Sequence, residues 1–171
     1  NPADVAEQQK ILPDAVFRRL WWNEWCGDRG DFLSMEEIIL CRNDTLRERT
    51  ESGDGSHYYI AIDYGEKKDR TVATVVHRED GKVIVDQQKV WVPTLDRPVH
   101  VAVVEAFCRM AKERWNNPTI IIDPWQLAAL DQQAPAWGLR MQRWNATSTN
   151  QQQLAQNLRT AVLCGQLEWF P

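Results

Sequence analysis

The sequence predicts an α/β domain in which a three-strand antiparallel meander is followed by helix, strand, helix, strand and helix. Three observations carry this. The runs "HYYIAIDYG", "RTVATVVHR" and "KVIVDQQKVWV" are β-rich and separated by turns. "REDGK" places Asp-Gly between the second and third, a strong hairpin signal. Beyond them, amphipathic helical patterns alternate with short apolar runs.

In chain order, residues 1–50 read as helical. "LPDAVFRRLWWNEW" sets Val16, Phe17, Leu20 and Trp21 at helical spacing, with Asp14 as an N-cap. Trp21, Trp22 and Trp25 suit core or linker packing, with partner docking as the alternative. "LSMEEIILCR" predicts a shorter helix, with Ser34 and Glu37 spaced as a capping box. "NDTLRERTESGDGSH" is polar and Gly-rich, and reads either as a junction between units or as a surface loop. The meander follows, and then "RPVHVAVVEAFCRMAKERW", a long helix with Val99, Val103, Ala106 and Met110 on one face. "NNPTIIID" is a continuous apolar run after an Asn-Pro turn and predicts a buried central strand. "PWQLAALDQQAPAWG" predicts a helix opened by Pro124 and closed near Gly138. "LRMQRW" predicts a further strand, and "NQQQLAQNLRTAVLCG" an amphipathic helix stopped by Gly165. No internal repeat is visible.

Composition narrows the functional classes. At 171 residues the chain has room for one domain with a sizeable core plus an appendage. A charged share of 26% beside a hydrophobic share of 43% is that of a globular protein, and no apolar run has membrane-spanning length. "NPADVAEQQKILPD" lacks a secretory pattern, and a first residue other than Met suggests a piece of a longer chain. The net charge of −4 means that nucleic-acid binding needs a local basic patch or bridging cations. Cys26, Cys41, Cys108 and Cys164 are scattered without a C-x-x-C pair, which argues against structural zinc and for a reducing compartment. His57, His77 and His100 form no helix-based zinc pair, and His77 reads as a strand-face residue. No Cys/His dyad or serine elbow is present to support covalent catalysis.

Two acids stand where apolar strands need none. Asp63 closes the first strand beside Gly65, and Asp123 closes "TIII" just before a helix. If those strands are neighbours, both carboxylates project from one end of the sheet, and two like charges that close call for a cation between them. Mg²⁺ or Mn²⁺ prefers such oxygen ligands, and two ions support phosphodiester hydrolysis. The competing roles are a turn residue for Asp63 and an N-cap for Asp123. A further alternative has "IDYG" and Thr71 cupping the phosphates of a nucleotide, as in an actin-like half domain. Asp69 lies six residues past Asp63, and either approaches the same site or is a turn acid. Lys67, Lys68 and Arg70 are either a DNA-backbone contact or a solvated turn, and Arg140, Arg143 and Arg159 would extend a DNA track.

"YYIAIDYGEKKDRTVATVVHREDGKVIVDQQKVW", "TIIIDPWQLAALDQQAPAWGL" and "STNQQQLAQNLRTAVLCGQL" together resemble the ribonuclease H-like nuclease domain of phage terminase large subunits. "FRRLWWNEWCGDRGDFLSMEEI" resembles the segment joining that nuclease to its ATPase motor. The resemblance implies a mixed sheet, the meander plus parallel strands, flanked by helices. It implies residues 1–56 as a helical linker after a missing ATPase domain and 57–171 as the nuclease domain, lacking its C-terminal end. It implies an endonuclease that cuts concatemeric viral double-stranded DNA during packaging, using two Mg²⁺ or Mn²⁺ ions. Asp63 and Asp123 match the family's metal-binding acids, and Asp69 matches a further acid of the first motif. The implied setting is the host cytoplasm without membrane. The implied partners in the full-length protein are the ATPase domain, portal and small terminase subunit, with the isolated domain a monomer. Two departures matter. No clear third metal-binding aspartate precedes the end of the chain, where Glu168 is the only late acid, and no G-x-x-x-x-G-K-[ST] loop is present. The first departure admits a catalytically silent ribonuclease H-like DNA-docking module as an alternative.

Overall fold

The second strand's alternation of buried and half-exposed residues, Thr71, Ala73, Val75 and His77 against Val72, Thr74 and Val76, marks a sheet with one fully covered face. The structure is a computed structural model that describes residues 32–53, 55–94 and 96–171. The helix expected over "LPDAVFRRLWWNEW", with Trp21, Trp22 and Trp25, lies outside the described residues, as does Cys26. The chain divides into two units, Asn1–Leu40 and Cys41–Pro171.

In the first unit, helix α1 (Met35–Leu40) begins with the expected capping box. The Ser34 N–H donates to Glu37 Oε2 at 2.8 Å, and the Glu37 N–H donates to Ser34 Oγ at 3.2 Å. Two helix-start donors without an intrahelical acceptor are thereby satisfied.

The second unit is built on β1 (Tyr58–Asp63), β2 (Thr71–Glu79), β3 (Lys82–Trp91), β4 (Thr119–Ile122), β5 (Arg140–Arg143) and β6 (Leu167–Trp169). They form one sheet in the order β5-β4-β1-β2-β3-β6. β1, β2 and β3 are the antiparallel meander, while β4 joins β1, β5 joins β4 and β6 joins β3 in parallel. The β2–β3 turn has positive φ at both Asp80 (48°) and Gly81 (81°), as the Asp-Gly signal requires. β6 was not expected. It is three residues long, and its existence depends on the β3 edge that pairs with it.

α2 (Val101–Arg114) covers the buried face of the sheet with Val104, Phe107, Cys108 and Ala111, against Tyr58, Ile60, Ala73, Val75, Ile120 and Ile122. This corrects most of the expected face: Val99, ahead of the helix, is buried, but Val103 and Met110 are exposed, and Ala106 faces outward with them. Both stripes are apolar in sequence, and the bulkier one containing Phe107 packs inward. The predicted helix from Pro124 is shorter and later than expected. Residues 124–127 form a turn, α3 spans Ala128–Gln133, and a 3-10 turn follows over Ala134–Trp137, closed by Gly138 at φ 64°. Pro135 supplies no N–H for an α-type bond, so the last turn tightens. α4 (Ser148–Leu163) is capped by Thr147, whose Oγ1 accepts from the Asn150 N–H at 3.2 Å.

The polar stretch expected as a junction belongs to the sheet unit. Trp169 N–H donates to Cys41 O at 3.0 Å and Asn43 N–H donates to Trp169 O at 2.8 Å, adding residues 41–43 outside β6. Arg49 N–H donates to Asp86 O at 2.8 Å, and Ser52 N–H to Arg114 O at 2.7 Å. Beneath this strap lies a buried polar knot. His77 Nδ1 is 2.6 Å from Asp86 Oδ2, and Arg49 Nε is 3.5 Å from Asp86 Oδ1. Burial pushes the Asp86 carboxyl up, against the opposing pull of His77 and Arg49. His77, read as a strand-face residue, is buried on that strand and packs on the Tyr58 ring.

Candidate functional site

β1 and β4 pair in register through Ile62 and Ile122, so the next residues on the two strands are Asp63 and Asp123. Adjacent strands lie about 4.8 Å apart, which sets the spacing between the two residues. Both acids line one cavity of about 630 Å³, whose other walls include Ala61, Val72, Thr74, Ile121, Trp144, Gln151 and Leu154. Ala61 and Ile121 alternate with the buried Ile60, Ile62, Ile120 and Ile122, of which Ile62 and Ile122 touch the cavity at the strand ends. The cavity therefore opens on the sheet face opposite α2, and α4 flanks it through Gln151 and Leu154. The two distant aspartates meet at one rim of the sheet, on one face.

The turn after Asp63 is closed by specific contacts. Thr71, buried at the start of β2, donates from Oγ1 to Gly65 O at 2.9 Å and accepts from Gly65 N–H at 3.2 Å. The Tyr64 hydroxyl donates to Val99 O at 2.7 Å, and Val99 N–H donates to Glu66 O at 2.9 Å. A Cβ on Gly65 would lie 2.3 Å from Asp69 O, so only glycine lets the turn fold back on itself. Backbone fills the space between 65 and 69 that a cradled phosphate would need, which counts against the nucleotide-cupping alternative. Asp69 is exposed on this turn and does not line the cavity.

Asp123 is not the N-cap that competed with metal binding, since α3 starts at Ala128 with Leu127 before it; it holds the 124–127 turn instead and retains a free oxygen. Its Oδ1 accepts from Trp125 N–H at 2.9 Å, and its carbonyl accepts from Gln126 and Leu127 N–H at 3.2 Å. Among the described residues, Oδ2 of Asp123 and both oxygens of Asp63 have no hydrogen-bond or ionic partner. An oxygen-only pair with free lone pairs suits a hard divalent cation, and among the described residues no His or Cys lines the cavity to favour a softer one. Among the described residues no three Asp, Glu, His or Cys side chains gather as a ligand set. The described residues thus supply two carboxylates, and water or phosphate oxygens would complete a coordination shell.

Lys67, Lys68 and Arg70 are exposed on the turn beside Asp63, with Lys67 3.9 Å from Glu66. Arg143 ends β5 opposite Ile122 and so reaches the same rim, but its Nε is committed to Asp131 Oδ2 at 2.8 Å. Arg140 pairs with Thr119 at the far end of β5, about 10 Å from the rim along the strand. Arg159 is exposed on α4. Glu168 lies on β6, three strands from β1, where Lys82 and Asn43 hold its carboxylate. Sequence reasoning missed Trp144. It follows β5, and only the β5-β4 pairing carries it to the acids, with its N–H donating to Ile122 O at 2.9 Å.

The same fold recurs in solved structures. The large terminase nuclease from thermophilic phage G20c with bound magnesium superposes with a TM-score of 0.63 at 17% identity, covering 79% of this chain and 71% of that one. The sheet unit has the ribonuclease H-like fold of phage large-terminase nuclease domains. The Thermus phage P74-26 large terminase nuclease domain is similar with a TM-score of 0.62 at 17% identity, over 79% of this chain and 70% of that one. The HK97 bacteriophage large terminase matches 98% of this chain with a TM-score of 0.63 at 17% identity, and this chain spans 40% of its length. The G20c nuclease has also been solved with bound zinc and with bound cobalt. No family model matches the chain, and no curated protein matches it significantly. No helix among the described residues is long and apolar enough to cross a membrane.

Proposed function

We propose that this chain is a metal-dependent endonuclease domain that cleaves concatemeric viral double-stranded DNA during genome packaging in the host cytoplasm. The observation that carries the reading is that Asp63 and Asp123 each follow the last paired residues, Ile62 and Ile122, of two adjacent parallel strands and line one cavity. In this reading the two carboxylates hold Mg²⁺ or Mn²⁺ ions. Such ions, when bound, acidify water and neutralise charge on the scissile phosphate. Lys67, Lys68 and Arg70 grip the DNA backbone beside Asp63, and Arg143 adds a weaker contact because Asp131 already engages it. Asp69 sits at the edge of the site on the same turn as the basic residues. The segment before Cys41 joins the nuclease to an ATPase domain, and the portal and small terminase subunit are partners of the assembled motor. Supporting this are the fold shared with nucleases named as large terminases and the divalent metals bound in one of them.

The test is plasmid nicking by the purified chain with Mn²⁺, Mg²⁺ or EDTA. Wild type is expected to nick with metal and to stop with EDTA, and Asp63→Asn and Asp123→Asn are each expected to lose nicking while keeping the wild-type melting profile. Full activity in both variants would end the proposal. The small ligand set favours a second reading, a DNA-docking module without catalysis. DNA binding with no cleavage by wild type in any metal would select it.

A further inference from the structure

Trp125 is 87% exposed, more than any other large hydrophobic residue described. Its place is not arbitrary: its N–H is held by the carboxylate of Asp123. Trp144 stands at the neighbouring strand end, half-buried in the cavity wall, with its N–H held by Ile122 O. Two indole-bearing residues are thus anchored by their backbones to the 122–123 corner. Across the rim, beyond Asp63, lie the exposed Lys67, Lys68 and Arg70. In strand order the rim runs from Trp144 through the two acids to the basic turn, Trp125 lies outside the cavity lining two residues past Asp123, and the cavity floor of Ala61, Val72 and Ile121 is apolar.

The chain carries a net charge of −4, so phosphate attraction over its whole surface is weak, and non-ionic contacts take a larger share of DNA binding. Every nucleobase offers a π face, and base–aromatic stacking is tolerant of sequence. A phosphate bridged to the two acids by a divalent cation would bring its flanking bases to the Trp125 side when the backbone runs on to the basic turn. A base can reach an indole only after leaving its own stack, which is easiest where it is unpaired.

We propose that Trp125 stacks on an unpaired nucleobase next to the scissile phosphate and makes the domain prefer DNA that is locally unpaired there. This deepens the nuclease reading and rests on it. The substrate class is a duplex interrupted by a mismatch, a gap or a single-stranded segment.

The test uses the full chain as wild type, Trp125→Ala and Trp125→Phe, each also carrying Asp63→Asn for the binding measurements. The probe is a duplex oligonucleotide with 2-aminopurine, either paired or opposite a mismatch, titrated with Mg²⁺ and, for comparison, in EDTA. Stacking of one base predicts about tenfold tighter binding of the mismatched probe by the Trp125 form, with fluorescence quenching. Trp125→Ala is expected to abolish both the preference and the quenching, and Trp125→Phe to restore most of them. With Mn²⁺ and Asp63 intact, the ratio of mismatched to paired cleavage should fall in Trp125→Ala. Equal preference with and without the Trp125→Ala substitution, or no preference in either protein, overturns the proposal even if metal-dependent cleavage is found. Preference and quenching lost only in Trp125→Ala, with no cleavage by wild type, supports the stacking contact and removes the nuclease reading alone. If Trp125 instead docks a protein, its substitution leaves every DNA measurement unchanged, which also overturns the proposal.

Discussion

Gly65→Ala tests whether the turn that positions Asp63 is closed as described. The added Cβ would meet Asp69 O at 2.3 Å, Asp69 C at 2.6 Å and Asp69 Cβ at 2.9 Å. Two of these atoms are backbone, so no side chain can swing aside to make room. Reaching an ordinary contact near 3.4 Å requires the two segments to part by about 1 Å. That movement stretches both Gly65–Thr71 hydrogen bonds, now 2.9 and 3.2 Å, and Thr71 is fully buried with no water to replace them. Overpacking of this kind typically costs about 1–3 kcal/mol, and loss of a buried hydroxyl's partners about the same. We expect a loss of about 2 kcal/mol, which for a chain of this length lowers the melting temperature by about 4–8 °C. Circular dichroism or calorimetry reads this directly. Gly81→Ala is the control: its Cβ meets nothing within 4 Å, and its cost of about 1–2 kcal/mol comes from φ 81° alone. Only Gly65→Ala is expected also to weaken DNA binding, because it moves Lys67, Lys68 and Arg70. A Gly65→Ala melting temperature within about 1 °C of wild type would refute the closed turn.

Two further outcomes follow from the buried knot and from β6. Asp86→Ala leaves the buried His77 ring nitrogen without its partner and is expected to cost about 1–3 kcal/mol in urea unfolding, while adding His77→Ala costs less than the sum of the single changes. Additive losses would mean that the pair does not interact. Hydrogen bonds from Lys82 and Asn43 hold the Glu168 carboxyl below its ordinary value of 4.5. The unfolded chain then binds that proton more tightly. The resulting stability is fully present above 4.5 and is lost as pH falls through the lowered folded value. The melting-temperature gap between wild type and Glu168→Gln should therefore narrow from about pH 7 to about pH 3, and a constant gap would contradict the linkage.

Neighbouring residues alone specify the meander, the Asp80-Gly81 hairpin, the Ser34–Glu37 capping box and the apolar strand ending at Asp123, because each is written locally through periodicity, turn chemistry or capping. They also single out Asp63 and Asp123, since an acid at the end of an apolar run departs from local pattern. Long-range packing set the rest. Which stripe of α2 faces inward depended on the partner surface, because both were apolar. β6 exists only because β3 offers an edge, and the stretch 41–53 joined the sheet unit through hydrogen bonds to residues such as Asp86, Arg114 and Trp169. Above all, the adjacency of Asp63 and Asp123, and the arrival of Trp144 beside them, follow from strand order. Pairing between strands is a non-local contact, and no residue along β1 encodes which strand lies next to it.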